Sequence, residues 1–335
     1  MSDDRAHPSD RRVQLGWWLS SEEHDPRPLV DLGVRAEAAG FGVAMVSDHL
    51  QPWTRHQGQS PHAWTVLGAL ASETRDLRIG TGITAMVHRY DPINVAHAAA
   101  TTAVMSEGRF FLGVGTGERL NEQAFGRRWP SPGERRARLA EAIDVIRRLW
   151  AGGPVHHRGQ FWRVEALELA TRPAIPPPIY MAATGRKSAM LAGESADGVI
   201  GVSPDQRVVA VFRGSGGEGK PCMAQLHVSL AASFDEAVDN AWEWWPNAVV
   251  PSPLLGELAR PAHFESTAQA IGAAGIDRAV VCAVGPEPVV AAIDRLVGAG
   301  FDTVLLHQIG PDQERLLRLC ESELLPHYAA AAART

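Results

Sequence analysis

The sequence has few cysteines and no long apolar run. Its three cysteines, Cys222, Cys282 and Cys320, lie far apart, and none belongs to a Cys-x-x-Cys pair. This spacing argues against a disulfide framework or a zinc knuckle and favours a reducing, cytoplasmic location. No apolar run approaches the roughly 20 residues that cross a bilayer, and the charged residues 1–12 lack the apolar stretch of a signal peptide. We therefore expect no membrane association and a mobile tail at residues 1–12.

The chain also lacks blocks of like charge and the usual signatures of metal or covalent catalysis. Its 32 basic and 38 acidic residues give a net charge of −6 without a basic patch, which argues against a nucleic-acid partner. No Gly-x-Ser-x-Gly motif is present. His88, His97, His227 and His307 have no metal-ligand spacing, and we interpret them as structural residues or polar residues at strand ends. The expected partner is a small molecule, with no bound metal.

Strand-like and helix-like segments alternate over almost the whole sequence. With 335 residues and 45% apolar content, the chain can bury a large core. Eight segments have the character of strands: residues 13–18, 41–46, 77–83, 109–114, 179–182, 198–202, 222–230 and 303–307. Helical segments separate them, so we predict a single α/β domain at residues 13–335, a (β/α)₈ TIM barrel. An open doubly wound sheet is the structural alternative.

Two regions interrupt this alternation. Residues 213–220 are rich in glycine and lie where a full helix would be expected. Residues 241–264 contain Trp242, Trp244, Trp245 and four prolines, and we interpret them as an insertion rather than a barrel helix. Such insertions cover an active site or form an oligomer interface, and the sequence favours neither.

Polar residues follow the second predicted strand directly. Residues 47–53 read Ser-Asp-His-Leu-Gln-Pro-Trp and include Asp48, His49 and Trp53. The carboxyl ends of strands carry the ligands and catalytic groups of parallel α/β proteins, so this segment is a candidate active-site corner. The alternative is an exposed loop in which Asp48 caps a turn and Trp53 covers an edge of the core.

The third and fourth strands end in glycine-rich segments. Residues 113–118, Gly-Val-Gly-Thr-Gly-Glu, place Glu118 at the same end of the barrel, and Gly80 and Gly82 end the third strand. A dinucleotide-binding fingerprint would need a differently placed third glycine and a later acidic residue, and both are missing. We expect that the glycines let a flat ring approach the backbone. Glu22 follows the first strand and faces the same end, or is only an acidic residue at a helix start.

The fifth strand leads into a possible anion site. Ala183, Thr184 and Gly185 are followed by Arg186 and Lys187 at the start of a predicted helix. Free backbone N–H groups at a helix start, together with two cations, favour a bound phosphate. The alternative is ordinary solvated surface charge.

Together these motifs resemble the luciferase-like superfamily and, within it, the family of F420-dependent glucose-6-phosphate dehydrogenases. The resemblance covers essentially the whole chain. It rests on residues 47–53, on Arg-Tyr-Asp-Pro at 89–92, on Phe-Leu-Gly-Val-Gly-Thr-Gly-Glu at 111–118, on Arg-Leu-Trp at 148–150 and on Ala-Asp-Gly at 196–198. It implies a luciferase-like (β/α)₈ barrel, the deazaflavin coenzyme F420 bound at the carboxyl ends of the strands, and a homodimer.

The resemblance also implies roles for individual residues. His49 and Glu118 would be the acid/base pair at the cofactor ring, and Trp53 and Glu22 would shape the site. The residues expected to hold the cofactor are Asp48, Gly82, Ile83, Thr116, Gly117, Asn121, Ala183, Thr184, Gly185 and Lys187. A base must take the hydroxyl proton of an alcohol while a hydride leaves its carbon, and a positioned base contributes roughly 10²–10⁴-fold in rate. Which of His49 and Glu118 handles which proton stays open at this point.

The substrate-binding positions depart from the family pattern. Asp205 stands where the resemblance implies a lysine, Val202 stands where it implies a threonine, and only Arg278 remains of a cationic set for a sugar phosphate. A carboxylate would repel a phosphate, and lost charge-assisted contacts would weaken its binding. We therefore expect glucose 6-phosphate to be a poor substrate.

The sequence thus predicts an F420-dependent oxidoreductase that transfers a hydride between a sugar-like or secondary-alcohol hydroxyl and the deazaflavin. The same site run in reverse would be an F420H₂-dependent reductase. An FMN-dependent luciferase-like monooxygenase and a barrel that binds a cofactor without turnover are further alternatives. Titration with F420 and with FMN would separate the first two from the third.

Overall fold

A computed structural model describes residues 13–332, with side chains to residue 330, so the tail expected at residues 1–12 lies outside the described residues. The strands are β1 (Gln14–Leu19), β2 (Val43–Val46), β3 (Arg78–Thr81), β4 (Thr84–Ala85), β5 (Phe110–Gly115), β6 (Val155–Arg158), β7 (Arg163–Leu167), β8 (Ile179–Ala182), β9 (Gly198–Gly201), β10 (Cys222–Leu230), β11 (Val281–Ala283) and β12 (Thr303–Gln308). Eight of them pair in parallel in the order β1-β2-β3-β5-β8-β9-β10-β12.

The sheet closes on itself. β12 pairs with β10 on one side and with β1 on the other, with Gln14 opposite Thr303 and Trp17 opposite Leu306. This closure excludes the open sheet and confirms the predicted (β/α)₈ barrel of the luciferase-like type. The eight predicted strands all form, each within a few residues of its expected bounds.

Helices surround the barrel: α1 (Pro26–Ala39), α2 (Ala63–Glu73), α3 (Pro92–Met105), α4 (Arg119–Glu122), α5 (Pro132–Ala151), α6 (Arg186–Ser195), α7 (Gln206–Phe212), α8 (Phe234–Trp244), α9 (Ser252–Leu255), α10 (Pro261–Ile271), α11 (Ile276–Ala279), α12 (Pro286–Gly298), α13 (Gln313–Leu319) and α14 (Leu325–Ala332). The local sequence explains where several of these helices begin or end. Asp91 and Ser131 cap α3 and α5 ahead of a proline in the first turn, and Gly40 ends α1 with a φ of 103°. None of these helices is long and apolar enough to span a bilayer.

Large side chains fill the middle of the barrel, and smaller polar ones follow at its carboxyl end. The inner cluster consists of Trp18, Val43, Met45, Phe111, Tyr180, Ile200, Met223 and Leu305. Side chains alternate along a strand, so the next inward positions include Ser20 on the chain after β1, Ser47 after β2 and His307 on β12, and on β10 Gln225 and then His227 follow Met223. The carboxyl end therefore presents a polar layer above an apolar plug, which places chemistry at that end.

The two irregular regions are more helical than the sequence suggested. α7 runs to Phe212, and a π-helical turn, Arg213–Gly217, continues it and packs against α6 through Gly193. In the second region, Trp242 and Trp244 belong to the end of α8. A 3₁₀ turn (Pro246–Val249), α9 and the start of α10 make up the rest. The interpretation of residues 241–264 as an insertion outside the barrel helices is therefore wrong for its first residues, which complete a helix.

Candidate active site

Glu22 lies at the carboxyl end of the barrel, just past β1, and is held by serine hydroxyls. Ser20 Oγ donates to Glu22 Oε2 at 3.1 Å and Ser47 Oγ donates to it at 2.5 Å. Ser47 also accepts from the backbone N of Ser21, which ties the ends of β1 and β2 together. The carboxyl group is 2% exposed. Glu22 is therefore a fixed group of the site rather than an acidic residue at a helix start.

His49 lies between two carboxylates. Its Nε2 is 3.5 Å from Glu22 Oε1 and 3.4 Å from Glu118 Oε2. Nδ1 lies 3.1 Å from the carbonyl of Gln51, an acceptor, and 3.3 Å from Asn121 Nδ2, a donor, so these contacts allow either neutral tautomer. With the proton on Nδ1, a neutral imidazole has its lone pair on Nε2, facing the carboxylates. The structure thus brings together three of the four residues predicted to be catalytic.

Asn121 fixes the positions of the residues around His49. Its Oδ1 accepts from the backbone N of Leu50 at 2.8 Å, which orients the amide so that Nδ2 donates to Glu118 Oε2 at 3.2 Å. Nδ2 also lies 3.3 Å from His49 Nδ1. Asn121 therefore joins the loop after β2 to the segment after β5, a link between residues 71 positions apart.

The two carboxyl groups have opposite pKa shifts. Burial acts to raise the pKa of Glu22, but His49 and the Ser47 hydroxyl outweigh it and lower the pKa below its usual value. Burial raises the pKa of Glu118 above its usual value, with a smaller contribution from Glu22, although His49 acts against it. Glu22 is thus held ionised while Glu118 takes up a proton easily. Paired titratable groups with diverging pKa values are typical of acid/base sites.

Trp53 covers His49 and links it to the tryptophan-rich region. The ring centroids of His49 and Trp53 are 4.7 Å apart, and those of Trp53 and Phe264 on α10 are 5.1 Å apart in an edge-to-face arrangement. Trp53, Trp245 and Phe264 belong to one apolar cluster with Leu120, Val250 and Ile309. The helical segments after β10 therefore form a cover over His49.

Gln57 is a site residue that the sequence did not reveal. Its Oε1 accepts from the backbone N of Trp53 at 2.8 Å and of Thr54 at 3.2 Å. Its Nε2 donates to the carbonyl of Trp244 at 3.0 Å. The residue is 2% exposed, and it joins the Trp53 loop to a segment 187 positions away. No local motif signals such a link.

Replacing Gln57 with Ala is expected to lower the free energy of unfolding by about 1–3 kcal/mol, because two buried backbone N–H groups lose their acceptor. KM for the substrate should rise with it, since the Trp53 loop loses its attachment. Urea denaturation and steady-state kinetics measure both effects.

The matched control for this change is Gln57→Glu. It keeps the acceptor for Trp53 and Thr54 and, while the carboxyl is protonated, a donor to Trp244, so its destabilisation should be smaller at acidic pH and should grow as the buried group ionises. Equal stability of Gln57→Ala and the parent protein would contradict the proposed link.

The Asp48 carboxylate is held by neighbouring protein side chains. Its side chain is fully buried, with Arg89 NH2 at 3.0 Å from Oδ1, Tyr90 OH at 3.0 Å from the same oxygen and Thr84 Oγ1 at 2.6 Å from Oδ2. Both carboxylate oxygens are thus occupied by protein donors. This arrangement explains the Arg-Tyr-Asp-Pro motif, whose first two side chains hold the loop that carries His49.

Glu122 holds the backbone around Arg89 in place. It is 1% exposed and accepts from the backbone N of His88 at 2.7 Å and of Arg89 at 2.9 Å. Burial raises the pKa of Glu122 to about 7. The carboxyl group fixes the backbone from which Arg89 reaches Asp48.

The glycines at the strand ends make room for protein side chains. A Cβ on Gly80 would overlap the Phe111 ring, one on Gly82 would lie 2.6 Å from Trp18, and one on Gly115 would overlap Ile83. Packing inside the barrel therefore accounts for the lack of a side chain at these glycines. The peptide bond between Gly82 and Ile83 is cis.

The residues predicted to hold the cofactor lie at two places on this end of the barrel. Thr116 and Gly117 are half-buried beside Glu118, and Ile83 is half-buried at the end of β3. Ala183 is buried at the end of β8, whereas Thr184, Gly185 and Lys187 are exposed. Gly185 is the N-cap of α6, no side chain caps that helix, and a Cβ on Gly185 would meet nothing within 4 Å. An anion can therefore reach the first turn of α6 freely.

The predicted substrate residues lie on the outside of the same end. Val202 is 52% exposed. Asp205 caps α7 through the backbone N of Arg207, and the Arg207 guanidinium pairs with it at 3.0 Å. Those hydrogen bonds lower the pKa of Asp205 below its usual value. Arg278 is exposed on α11. Because Arg207 balances Asp205, the argument against phosphate binding rests on missing cations more than on repulsion.

Two histidines that the sequence left as structural form a second polar group at the site. His307 Nε2 lies 2.6 Å from Glu23 Oε2, and His307 Nδ1 lies 2.9 Å from His227 Nδ1. Trp245 packs on both rings, with centroids 4.6 Å from His307 and 5.4 Å from His227. Within residues 13–332, no group of three or more His, Cys, Asp or Glu side chains is placed to hold a metal ion.

Comparison with known proteins agrees with this geometry. The family model of luciferase-like monooxygenases matches residues 13–303. F420-dependent glucose-6-phosphate dehydrogenases from Microbacterium testaceum (strain StLB037) and Nocardia farcinica (strain IFM 10152) are each 34% identical to this chain. The first match covers 94% of this chain and 97% of the relative, and the second covers 96% and 99%.

A solved structure has the same fold. An F420-dependent secondary alcohol dehydrogenase in complex with an F420-acetone adduct superposes with a TM-score of 0.88 at 28% identity, over 96% of this chain and 99% of that one. The chain therefore belongs to the luciferase-like superfamily and, within it, to the family of the F420-dependent glucose-6-phosphate dehydrogenases.

Proposed function

We propose that this protein oxidises an uncharged, hydroxyl-bearing substrate with coenzyme F420 as the hydride acceptor, and that sugar phosphates are poor substrates. The family establishes an F420-dependent oxidoreductase that acts on CH–OH groups. The identity of the substrate and the roles of individual residues are our proposal. The deazaflavin, when bound, supplies the hydride acceptor, and the protein supplies orientation and proton transfer.

The observation that carries the proposal is the position of His49 between an ionised and a readily protonated carboxyl group. Its Nε2 faces Glu22, whose pKa is lowered, and Glu118, whose pKa is raised. We assign the substrate hydroxyl proton to His49, because the Glu22 carboxylate stabilises the imidazolium that forms. Glu118 is the proton donor on the cofactor side. By microscopic reversibility the same groups serve ketone reduction.

The residues present fit the cofactor. The free first turn of α6, with Arg186 and Lys187 exposed beside it, suits a phosphate group. Ile83, Thr116, Gly117 and Asn121 lie at the ends of β3 and β5 beside His49 and Glu118, where a ring would contact them together with the Gly82 backbone. We propose that Ala183, Thr184, Gly185 and Lys187 hold the phosphate end. Asp48 acts indirectly, by holding the His49 loop from below.

The lack of cations on the substrate side supports an uncharged substrate. The sequence has two lysines, Lys187 and Lys220. Lys220 donates to the carbonyls of Gly193 and Ala196, and Lys187 belongs to the proposed cofactor site. Arg207 pairs with Asp205, which leaves Arg278 as the one remaining member of the expected phosphate set. Val202 and the Asp205–Arg207 ion pair together then contribute no net charge on the substrate side.

A screen of F420 reduction tests the proposal. Glucose, glucose 6-phosphate, propan-2-ol and cyclohexanol are each offered to the purified protein with F420, and the loss of F420 absorbance is followed. We expect kcat/KM for the phosphorylated sugar to be at least about tenfold below that for the best uncharged compound, because charge-assisted contacts are missing. Glucose 6-phosphate as the best substrate would overturn the proposal.

A charge reversal provides the matched comparison. Asp205→Lys should raise the use of glucose 6-phosphate relative to glucose, whereas Asp205→Asn keeps the N-cap of α7 and should not. Separate titrations with F420 and FMN check the cofactor. Tight binding of FMN without binding of F420 would replace the dehydrogenase with the monooxygenase alternative.

We also propose that the protein is a cytoplasmic homodimer. Size-exclusion chromatography with light scattering tests the oligomeric state, and a mass of one chain at micromolar concentration would contradict it.

A further inference from the structure

Two consecutive carboxylates that follow β1 contact two different imidazoles. Glu22 faces His49, as described above, whereas Glu23 faces His307 with Oε2 at 2.6 Å and accepts from the backbone N of Gly310 through Oε1 at 2.8 Å. Both the Glu23 and the His307 side chains are essentially unexposed. The first imidazole belongs to the proposed acid/base site. The second continues to His227, which the proposed function leaves unused.

The protons of this second group can be assigned from its partners. The Glu23 carboxylate only accepts, so His307 Nε2 carries a proton. A neutral His307 then has a lone pair on Nδ1, so His227 Nδ1, 2.9 Å away, is the donor. A neutral His227 with its proton on Nδ1 has a lone pair on Nε2. The end of the relay is therefore a hydrogen-bond acceptor.

That acceptor is open to the site. His227 occupies an inward position of β10 in the polar layer at the carboxyl end of the barrel, and its ring is half-buried. Nε2 has no partner among the described residues and is not one of the buried unpaired atoms. Trp245, which covers the ring, belongs to the same apolar cluster as Trp53, which covers His49. Both imidazoles therefore pack against tryptophans of the same apolar cluster.

The charge state of the relay suits a neutral ligand. Burial lowers the pKa of His227 well below its usual value. The titratable groups around its partner His307 are Glu22, Glu23 and His24, and burial also lowers the pKa of His24. His227 thus presents a neutral acceptor near pH 7, which pairs with an O–H donor and gives no cationic contact to a phosphate.

We propose that Glu23, His307 and His227 form a relay whose free Nε2 accepts a hydrogen bond from a second hydroxyl of the substrate. The substrate class is then an uncharged diol or polyol, with the reacting carbinol at His49 and another hydroxyl at His227. The inference rests on the proposed function for the first of these contacts. It adds a specificity-determining residue that takes no part in the hydride step.

Histidine ¹⁵N NMR of the protein without cofactor tests the relay directly. We expect a neutral His227 protonated on Nδ1 and a neutral His307 protonated on Nε2. In Glu23→Gln the side-chain amide can donate to His307 Nε2, so both tautomers should reverse. His97→Asn, on the exposed face of α3, is the control for assignment and stability. A His227 protonated on Nε2 in the parent protein would overturn the relay.

Matched alcohols test the recognition of a second hydroxyl. Cyclohexane-1,2-diol should have a kcat/KM about 5–10-fold above cyclohexanol and 2-methoxycyclohexanol, the usual effect of one hydrogen bond to a neutral group. His227→Asn keeps a donor toward His307 but has no atom in the place of Nε2, so it should remove this preference, with kcat/KM for the diol falling about 5–10-fold more than kcat/KM for cyclohexanol. A diol preference that persists in His227→Asn would refute the proposal.

The outcomes also separate the two proposals. If no alcohol reduces F420, the proposed function fails, and the relay is then judged by whether the diol shifts the His227 Nε2 resonance. A shift with the diol and none with cyclohexanol supports the second-hydroxyl site. Equal responses to both compounds contradict it.

Discussion

Replacing His49 with Asn is expected to lower kcat by roughly 10²–10⁴-fold, the range for loss of a positioned general base. The side-chain amide of Asn can keep the 3.1 Å contact that His49 Nδ1 makes with the Gln51 carbonyl. The replacement removes the basic nitrogen that lies between Glu22 and Glu118. The fold and the cofactor site should persist. Steady-state kinetics with the best alcohol, together with F420 titration, measure the two effects separately.

A second replacement serves as the comparison for this result. His62→Asn alters an imidazole that contacts Tyr90 at 3.2 Å in the layer beneath the site, and it should change kcat far less. Turnover of His49→Asn close to that of the parent protein would remove His49 from the proton-transfer step. A parallel loss of F420 binding would show that the substitution damages the site as a whole.

Replacing Glu118 with Gln is the change with the second-largest expected effect, a loss of roughly 10²-fold or more in kcat, because the amide cannot donate the proton assigned to this position. The direction in which the rate of alcohol oxidation changes with pH follows from the pKa of Glu118. Burial raises the pKa of Glu118, so the protonated form is present below that raised pKa and is lost as pH rises through it. Alcohol oxidation should therefore lose the contribution of Glu118 on the alkaline side.

The pH–rate profile of the variant checks this assignment. The residual activity of Glu118→Gln should lack the alkaline limb that belongs to Glu118, whereas Glu118→Asp should keep such a limb. Glu22→Gln should instead weaken the stabilisation of the His49 imidazolium, because it replaces a carboxylate whose pKa is lowered. An unchanged alkaline limb in Glu118→Gln would show that another group gives rise to it.

Much of the barrel could be predicted from the sequence because its signals are local. Eight apolar segments alternate with helices, and Asp91, Ser131 and Gly40 are capping residues of recognisable type. The region after β10 was harder to predict, because its tryptophans and prolines suggested an insertion rather than a barrel helix. α8 in fact runs to Trp244, since an amphipathic helix can end in aromatic residues that pack inward.

The position of the candidate catalytic corner was predictable for a topological reason. The carboxyl ends of parallel strands meet at one end of a barrel, so His49 after β2, Glu22 after β1 and Glu118 after β5 were all expected at that end. The function of Asp48 was not predictable in the same way. A carboxylate next to a catalytic histidine can face the ligand or the core, and here Arg89, Tyr90 and Thr84 hold it in the core.

By itself, the sequence determined the barrel, the family and the end of the barrel at which chemistry takes place, since each follows from periodicity and from short motifs. Only the tertiary structure decided which polar groups touch. The contact of Glu23 with His307 spans 284 positions and that of Gln57 with Trp244 spans 187. Such pairs depend on side-chain direction and on the register of strands around a closed sheet, and no local pattern encodes either of them.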